Sequence, residues 1–243
     1  MTDRYDASHW SRLSRKRERG SHDKKAVYEV LDSSLVCHIG YVVDGQAFAT
    51  PTLFWRDGDT LYWHGSKDGR MIRAHSAGQR VCVTISHLDA LNLGRSGIAS
   101  SVQYRSVMAF GITHPITDAA LKREQMCRLI DRQFPGRSGE LRPIREHEIG
   151  GITVIRMPIE EATAKVKTGG VVERSEDDYD VATWAGVIPI VQTIGSAIPD
   201  QRLPEHRERA DNVAAYDEGG RLDQVLSQNI ETLTKPIDRK NER

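Results

Sequence analysis

Val43-Asp44-Gly45-Gln46-Ala47-Phe48-Ala49-Thr50-Pro51-Thr52-Leu53-Phe54-Trp55-Arg56-Asp57-Gly58-Asp59-Thr60-Leu61-Tyr62-Trp63-His64-Gly65 decides the fold. Two Asp-Gly pairs, Asp44-Gly45 and Asp57-Gly58, divide it into strand-like runs. Such a pair reaches the positive φ that a two-residue hairpin turn needs. Gln46 to Trp55 is one strand and Thr60 to Gly65 the next, while the apolar run Leu35 to Val43 supplies the strand before them. Three antiparallel strands with tight turns make a meander.

Working outward, His22 to Leu31 places Ala26, Val27, Val30 and Leu31 on one helical face, and Asp32-Ser33-Ser34 ends that helix. Downstream, Asp68 to Ala77 carries Met71, Ile72 and Ala74 at helical spacing. Val81 to Leu88 is a fourth strand, Ala90 to Leu93 starts another, and Tyr104 to Pro115 is a long one. Asp118 is the expected N-cap of a helix over Ala119 to Phe134, stopped by Pro135-Gly136. Ile152 to Met157 and Glu161 to Lys167 complete the strands of the core. An apolar patch runs from Trp184 to Ile190, a polar linker spans 200 to 220, and Arg221 to Leu233 has amphipathic helical spacing. About seven strands with mostly antiparallel links predict a mainly β (α+β) fold, an antiparallel β-barrel with peripheral helices.

With 34 basic and 34 acidic residues the formal charge is zero, which gives no reason to expect nucleic acid or an acidic membrane as partner. A local basic cluster, Arg12, Arg15, Lys16, Arg17 and Arg19, reads as a solvated arm or as a contact for phosphate. Cys37, Cys82 and Cys127 lack zinc spacing and fit a reduced, cytoplasmic setting. No apolar run is long enough to span a membrane, and the N-terminal residues lack a secretory leader's apolar region. Rossmann and P-loop glycine motifs are absent.

Ser66-Lys67-Asp68-Gly69-Arg70 follows a strand and opens a helix. Hydroxyl, cations and backbone N–H groups in such a turn suit a phosphate, or form an ordinary charged turn. Arg105 and Ser106 are adjacent on one strand and so face opposite sides. Arg105 either meets a ligand or is ion-paired within the barrel. Pro51 implies an edge or a site beside a ligand. His64 and His87 end strands and serve structure or ligand, and His38 is expected as a hydrogen-bonded core residue. No catalytic triad is legible.

The series Gly45 to Pro51, Tyr62 to Met71 and Tyr104-Arg105-Ser106-Val107-Met108-Ala109-Phe110-Gly111 resembles the pyridoxamine 5′-phosphate oxidase-like flavoproteins. It is closest to the predicted flavin-nucleotide-binding branch related to nitroimidazole-resistance (Nim-type) proteins, over roughly residues 10 to 190. The resemblance implies an FMN-binding split barrel at residues 22–168, flanked by a polar arm at 1–21 and a C-terminal extension at 169–243. It implies FMN held in a groove between the subunits of a homodimer. Phe48, Leu53, Phe54 and the terminal helix are candidates for that interface. It also implies a redox role, with a nicotinamide reductant and a small organic substrate.

By the same resemblance, Ser66, Lys67 and Arg70 hold the flavin phosphate, with Met71 closing the motif. Thr50, Pro51 and Thr52 run past the isoalloxazine ring, His64 meets phosphate or ring, and Tyr104, Arg105 and Ser106 line the flavin. Trp184, in Trp184-Ala185-Gly186, either packs or covers the cofactor from the partner subunit. Two departures stand out. Relatives' His-His-Ser and Asn-Tyr-Arg-Ser-Val become Ala99-Ser100-Ser101 and Gln103-Tyr104-Arg105-Ser106-Val107. The Arg-x-His motif of true pyridoxamine phosphate oxidases has no counterpart, so vitamin B6 synthesis is not expected. The alternatives are a non-enzymatic flavin or haem binder, with His64, His87 and His114 as axial candidates, a deazaflavin (F420)-dependent reductase, or a barrel that has lost its cofactor.

Overall fold

The computed structural model describes residues 3–8, 10–204 and 209–234. The remaining residues of the arm and of the C-terminal extension lie outside the described ones. The meander forms as β2 (Val36–Val43), β3 (Gln46–Asp57) and β4 (Thr60–Ser66). Asp44 and Gly45 both take positive φ, 50° and 78°, as a type I′ turn requires. In the second hairpin Asp57 pairs with Thr60, so the turn residues are Gly58 and Asp59. Only Gly58 is at positive φ there, 56°, the first-position glycine of a II′ turn.

Around the meander lie β1 (Gly20–Ser21), β5 (Arg80–Leu93), β6 (Ser101–Ile112), β7 (His114–Ile116), β8 (Ile152–Pro158), β9 (Glu161–Lys167) and β10 (Gly186–Pro189). The sheet order is β1-β9-β6-β5-β2-β3-β4-β8-β7, with β10 added to β5. Every paired ladder is antiparallel. The expected separate strand at Ala90 is instead the end of β5, which runs on through a bulge between Leu88 and Ala90. The expected strand from Tyr104 to Pro115 starts earlier and breaks at Thr113, which is fully buried with its hydroxyl donating to the His75 carbonyl at 2.7 Å. The sheet closes where β6 meets β8: a Cβ on Gly111 would lie 2.2 Å from the Pro158 carbonyl oxygen. Glycine allows that approach.

Alternation along each strand fills the interior. Cys37, Ile39, Tyr41, Phe54, Leu61, Trp63, Val83, Ile85, Val107 and Ala109 are buried in one cluster. Two expectations fall to this alternation. His38 is exposed, because Cys37 and Ile39 take the inward positions on either side of it. Phe54 faces the core with no exposure, so it cannot serve a subunit interface. The helix α1 (Lys24–Asp32) adds Val27, Val30 and Leu31 to the cluster, and α2 (Arg70–Ser76) adds Ile72. On the opposite face of β3, β4 and β8, Trp55, Ile116, Leu129 and Val154 form a second cluster beneath α3 (Ala119–Gln133). Asp118 caps α3 as expected, its Oδ1 accepting from Leu121 N–H at 2.7 Å.

A short helix α4 (Glu146–Gly151) leads into β8. The terminal helix α5 (Leu222–Thr234) packs on α3 and α1. The polar stretch before it is anchored: Tyr216 donates to the Gln133 carbonyl at 2.6 Å and sits against Phe134. The arm is also held to the barrel. Ser8 and Ser11 hydroxyls donate to Glu161 at 2.7 and 2.8 Å, and Gly20 and Ser21 pair with Lys165 and Ala164.

Candidate functional site

The register locates the point at which β3 and β4 part. β3 and β4 are paired only from Asp57/Thr60 to Phe54/Trp63. Beyond that point β3 stays with β2 from Leu53 to Gln46, and β4 stays with β8 from His64 to Ser66. The two strands diverge, with Thr50-Pro51-Thr52-Leu53 on one side and His64-Gly65-Ser66 on the other. α2 follows the second side directly. Eight residues expected at the site, Thr50, Pro51, Thr52, His64, Ser66, Lys67, Arg70 and Met71, border this split or the turn beside it.

Ser66, Lys67 and Arg70 are exposed, and neither cation forms an ion pair among the described residues. The Arg70 guanidinium lies 4.2 Å from the centre of the Phe48 ring, and Phe48 stacks on Tyr41. Tyr41 Oη in turn is 3.2 Å from Thr50 Oγ1. This contact chain ties the cation on one side of the split to the hydroxyl on the other. Lys67 N–H is occupied by the Gly151 carbonyl at 3.2 Å, which fixes the turn to α4. Met71 is half-buried and packs against the core cluster.

His64 stands at the apex of the split, tilted beside Trp55. Its Nδ1 is buried and has no hydrogen-bond partner among the described residues, and burial alone lowers its pKa. The ring is therefore held neutral with a free nitrogen. His87 Nε2 lies 3.1 Å from Ser33 Oγ, and His114 is exposed on β7. His75, which sequence reasoning did not single out, is enclosed in the barrel. Its Nδ1 accepts from Trp63 Nε1–H at 3.1 Å, and burial lowers its pKa to about 4.

Tyr104, Arg105 and Ser106 are not brought into the split. Arg105 donates to Asp89 through Nε and Nη2, and to Asp223 at 3.2 Å. Its charge is thereby matched within the chain, first by the Asp89 hydrogen bonds, which hold its pKa up. Tyr104 and Ser106 lie on the other side of β6, opposite Leu88 and Ser86 of β5. Trp184 is 64% exposed and turned onto Gly186, where a Cβ would meet its ring at 2.9 Å. The residues missed from sequence were Phe48 as the platform for Arg70 and Asp89 as the partner of Arg105. Asp89 did carry a signal, a carboxylate interrupting an apolar strand pattern, which is where bulges occur.

Residues 23–166 match the family model described as pyridoxamine 5′-phosphate oxidase. The chain belongs to the pyridoxamine 5′-phosphate oxidase family. The flavocytochrome Anf3 from Azotobacter vinelandii is similar over 87% of this chain and 98% of its own, at 35% identity and a TM-score of 0.81. The FAD and haem binding protein from Mycobacterium smegmatis is similar over 84% of this chain and 98% of its own, at 28% identity and a TM-score of 0.79. A candidate 5-nitroimidazole antibiotic resistance protein from Bacteroides thetaiotaomicron shares the fold over 60% of this chain and 86% of its own, at 22% identity and a TM-score of 0.50. No curated protein matches the sequence. The expected split-barrel fold of this family is thus confirmed. No helix among the described residues is long and apolar enough to cross a membrane.

Proposed function

We propose that the protein binds a flavin in the split between β3 and β4 and uses it for electron transfer to a small organic acceptor. The observation that carries this reading is the pair Lys67 and Arg70, exposed cations without carboxylate partners among the described residues, beside Ser66 at the split's edge. A phosphate monoester suits that donor set through charge-assisted hydrogen bonds. Arg105, already neutralised by Asp89 and Asp223, does not suit it. FMN is the smallest flavin this cradle requires. FAD, named for the Mycobacterium smegmatis relative, contains the same moiety.

In this reading Ser66, Lys67 and Arg70 hold the phosphate, while Thr50 and Thr52 orient the ring edge by their hydroxyls and backbone. The flavin supplies the redox chemistry, and the chain supplies binding, orientation and electrostatics. A reduced nicotinamide is the proposed electron source. The protein works as a homodimer whose interface is the outer face of the β2–β5–β6 sheet. Val36, Val42, Leu88 and Met108 are 46–53% exposed there, an apolar surface that subunit contact would cover. The purified protein, loaded with FMN or FAD and desalted, retains oxidised-flavin absorption. A colourless product with both flavins would sink this reading.

A haem held in addition to the flavin is the second reading, and His64 favours it. Its free, buried Nδ1 and neutral ring fit an axial ligand better than the hydrogen-bonded His87 or the exposed His114. The two similar structures at 35% and 28% identity are named as a flavocytochrome and as an FAD and haem binding protein. Haem reconstitution gives a Soret band in the wild type, and His64→Ala shifts or loses it. The same band in both proteins would remove His64 as ligand.

A further inference from the structure

The basic arm residues do not stand alone in the folded chain. The pairing of Gly20 with Lys165 lays the 3-10 turn Arg17–Arg19 against β9. Lys165 and Lys167 are two apart on β9 and share a face with their register partners Ser106 and Tyr104 of β6. Lys167 donates to the Ser101 hydroxyl, and its pKa is lowered, first by burial and then by the positive charge of Arg19. Among the described residues neither Lys165 nor Lys167 forms an ion pair. Arg19 reaches only Glu18, at 4.0 Å. A chain with zero formal charge has therefore gathered at least three cations, a phenol ring and two serine hydroxyls on one corner of its sheet.

We infer that Arg19, Lys165 and Lys167, with Tyr104 beside them, form a second anion subsite for the phosphates of a nucleotide. Like charges held close are mutually unfavourable, and a phosphate relieves that repulsion while accepting from each cation. Tyr104 offers a flat face to the base, and Ser101 and Ser106 supply further hydroxyls. These residues lie on β6, β9 and the turn before β1, and none belongs to β3, β4 or the Ser66–Arg70 turn. The subsite is thus distinct from the Ser66–Arg70 cradle, and the inference does not depend on flavin binding there. A phosphate held here belongs to a separate nicotinamide dinucleotide, because the two phosphates of a flavin dinucleotide share one oxygen and would both lie at the Ser66–Arg70 cradle.

Titration calorimetry of the full-length chain with ADP and with adenosine tests this. ADP is expected to bind at least tenfold more tightly than adenosine, and less tightly as salt rises. Lys165→Gln with Lys167→Gln weakens ADP at least tenfold at unchanged thermal midpoint, while Arg70→Ala leaves ADP binding as it was. Lys167→Arg retains it. ADP that binds the flavin-loaded protein and is displaced by a nicotinamide dinucleotide supports the subsite, and ADP that competes with FMN or FAD overturns it. An ADP affinity unchanged in the double variant overturns the inference, as does binding of an RNA oligonucleotide without any binding of ADP.

Discussion

Arg105 and Asp89 face each other across the β5–β6 ladder, with Nε 3.0 Å from Oδ2 and Nη2 2.8 Å from Oδ1. The bulge between Leu88 and Ala90 places Asp89 there. Nη2 also reaches Asp223 near the start of α5, so one guanidinium joins the barrel to the terminal helix. Both side chains are about one-quarter exposed, 28% for Arg105 and 20% for Asp223. Arg105→Ala is expected to lower stability by about 1–3 kcal/mol, since two partly buried carboxylates lose a charged donor. Its effect on flavin affinity is expected to be small. A large rise in the flavin dissociation constant at unchanged thermal midpoint would return Arg105 to the binding site.

At the split the expectation is reversed. Arg70 is exposed, lies over the Phe48 ring and forms no ion pair among the described residues, so its removal takes no buried side chain from the core. Arg70→Ala is expected to weaken flavin binding by about 1.5–3 kcal/mol, the usual value of a charge-assisted hydrogen bond. Fluorescence titration with FMN measures it. An unchanged dissociation constant excludes Arg70 from phosphate contact.

His75 sets a pH dependence. Burial takes its pKa from 6.5 to about 4, so the folded protein keeps the ring neutral while the unfolded chain takes up a proton. Stability is therefore full above about pH 6.5 and falls as the pH drops toward 4, below which this residue adds no further loss. The linkage amounts to about 3 kcal/mol over that window. Chemical denaturation at several pH values should show the decline, and His75→Gln should flatten it. A parallel decline in the variant would assign the effect elsewhere.

Met108 reports on assembly. It is 46% exposed on the outer sheet face, opposite Thr84 of β5 and Thr163 of β9. Light scattering should give a dimer for the wild type and a folded monomer for Met108→Glu, because a charge buried at an apolar interface is costly. A dimer that survives this substitution places the interface elsewhere.

Much of the fold was legible because local rules and tertiary structure agree. The Asp44-Gly45 turn, the Asp118 cap and the strand Val81 to Leu88 act within a few residues and are found as expected, while the second turn shifts by one residue to Gly58-Asp59. The turn from Ser66 to Arg70 was legible for the same reason, as a polar link between a strand and a helix. What failed was any inference that needed a distant partner. His38 was misjudged because its apolar neighbours suggested burial, whereas the pleat sends every second side chain outward. Arg105 kept two readings until Asp89 and Asp223, 16 and 118 residues away in sequence, were seen beside it.

The sequence by itself determined the strands, most of their turns and the polar link from β4 to α2, since these depend on backbone preference and side-chain period over short spans. Only the tertiary structure decided where β3 leaves β4 to open the split, which histidine keeps a free nitrogen beside it, and which arginines are neutralised. Those outcomes depend on pairing register and on burial by residues remote in the chain, and neither is encoded in local spacing.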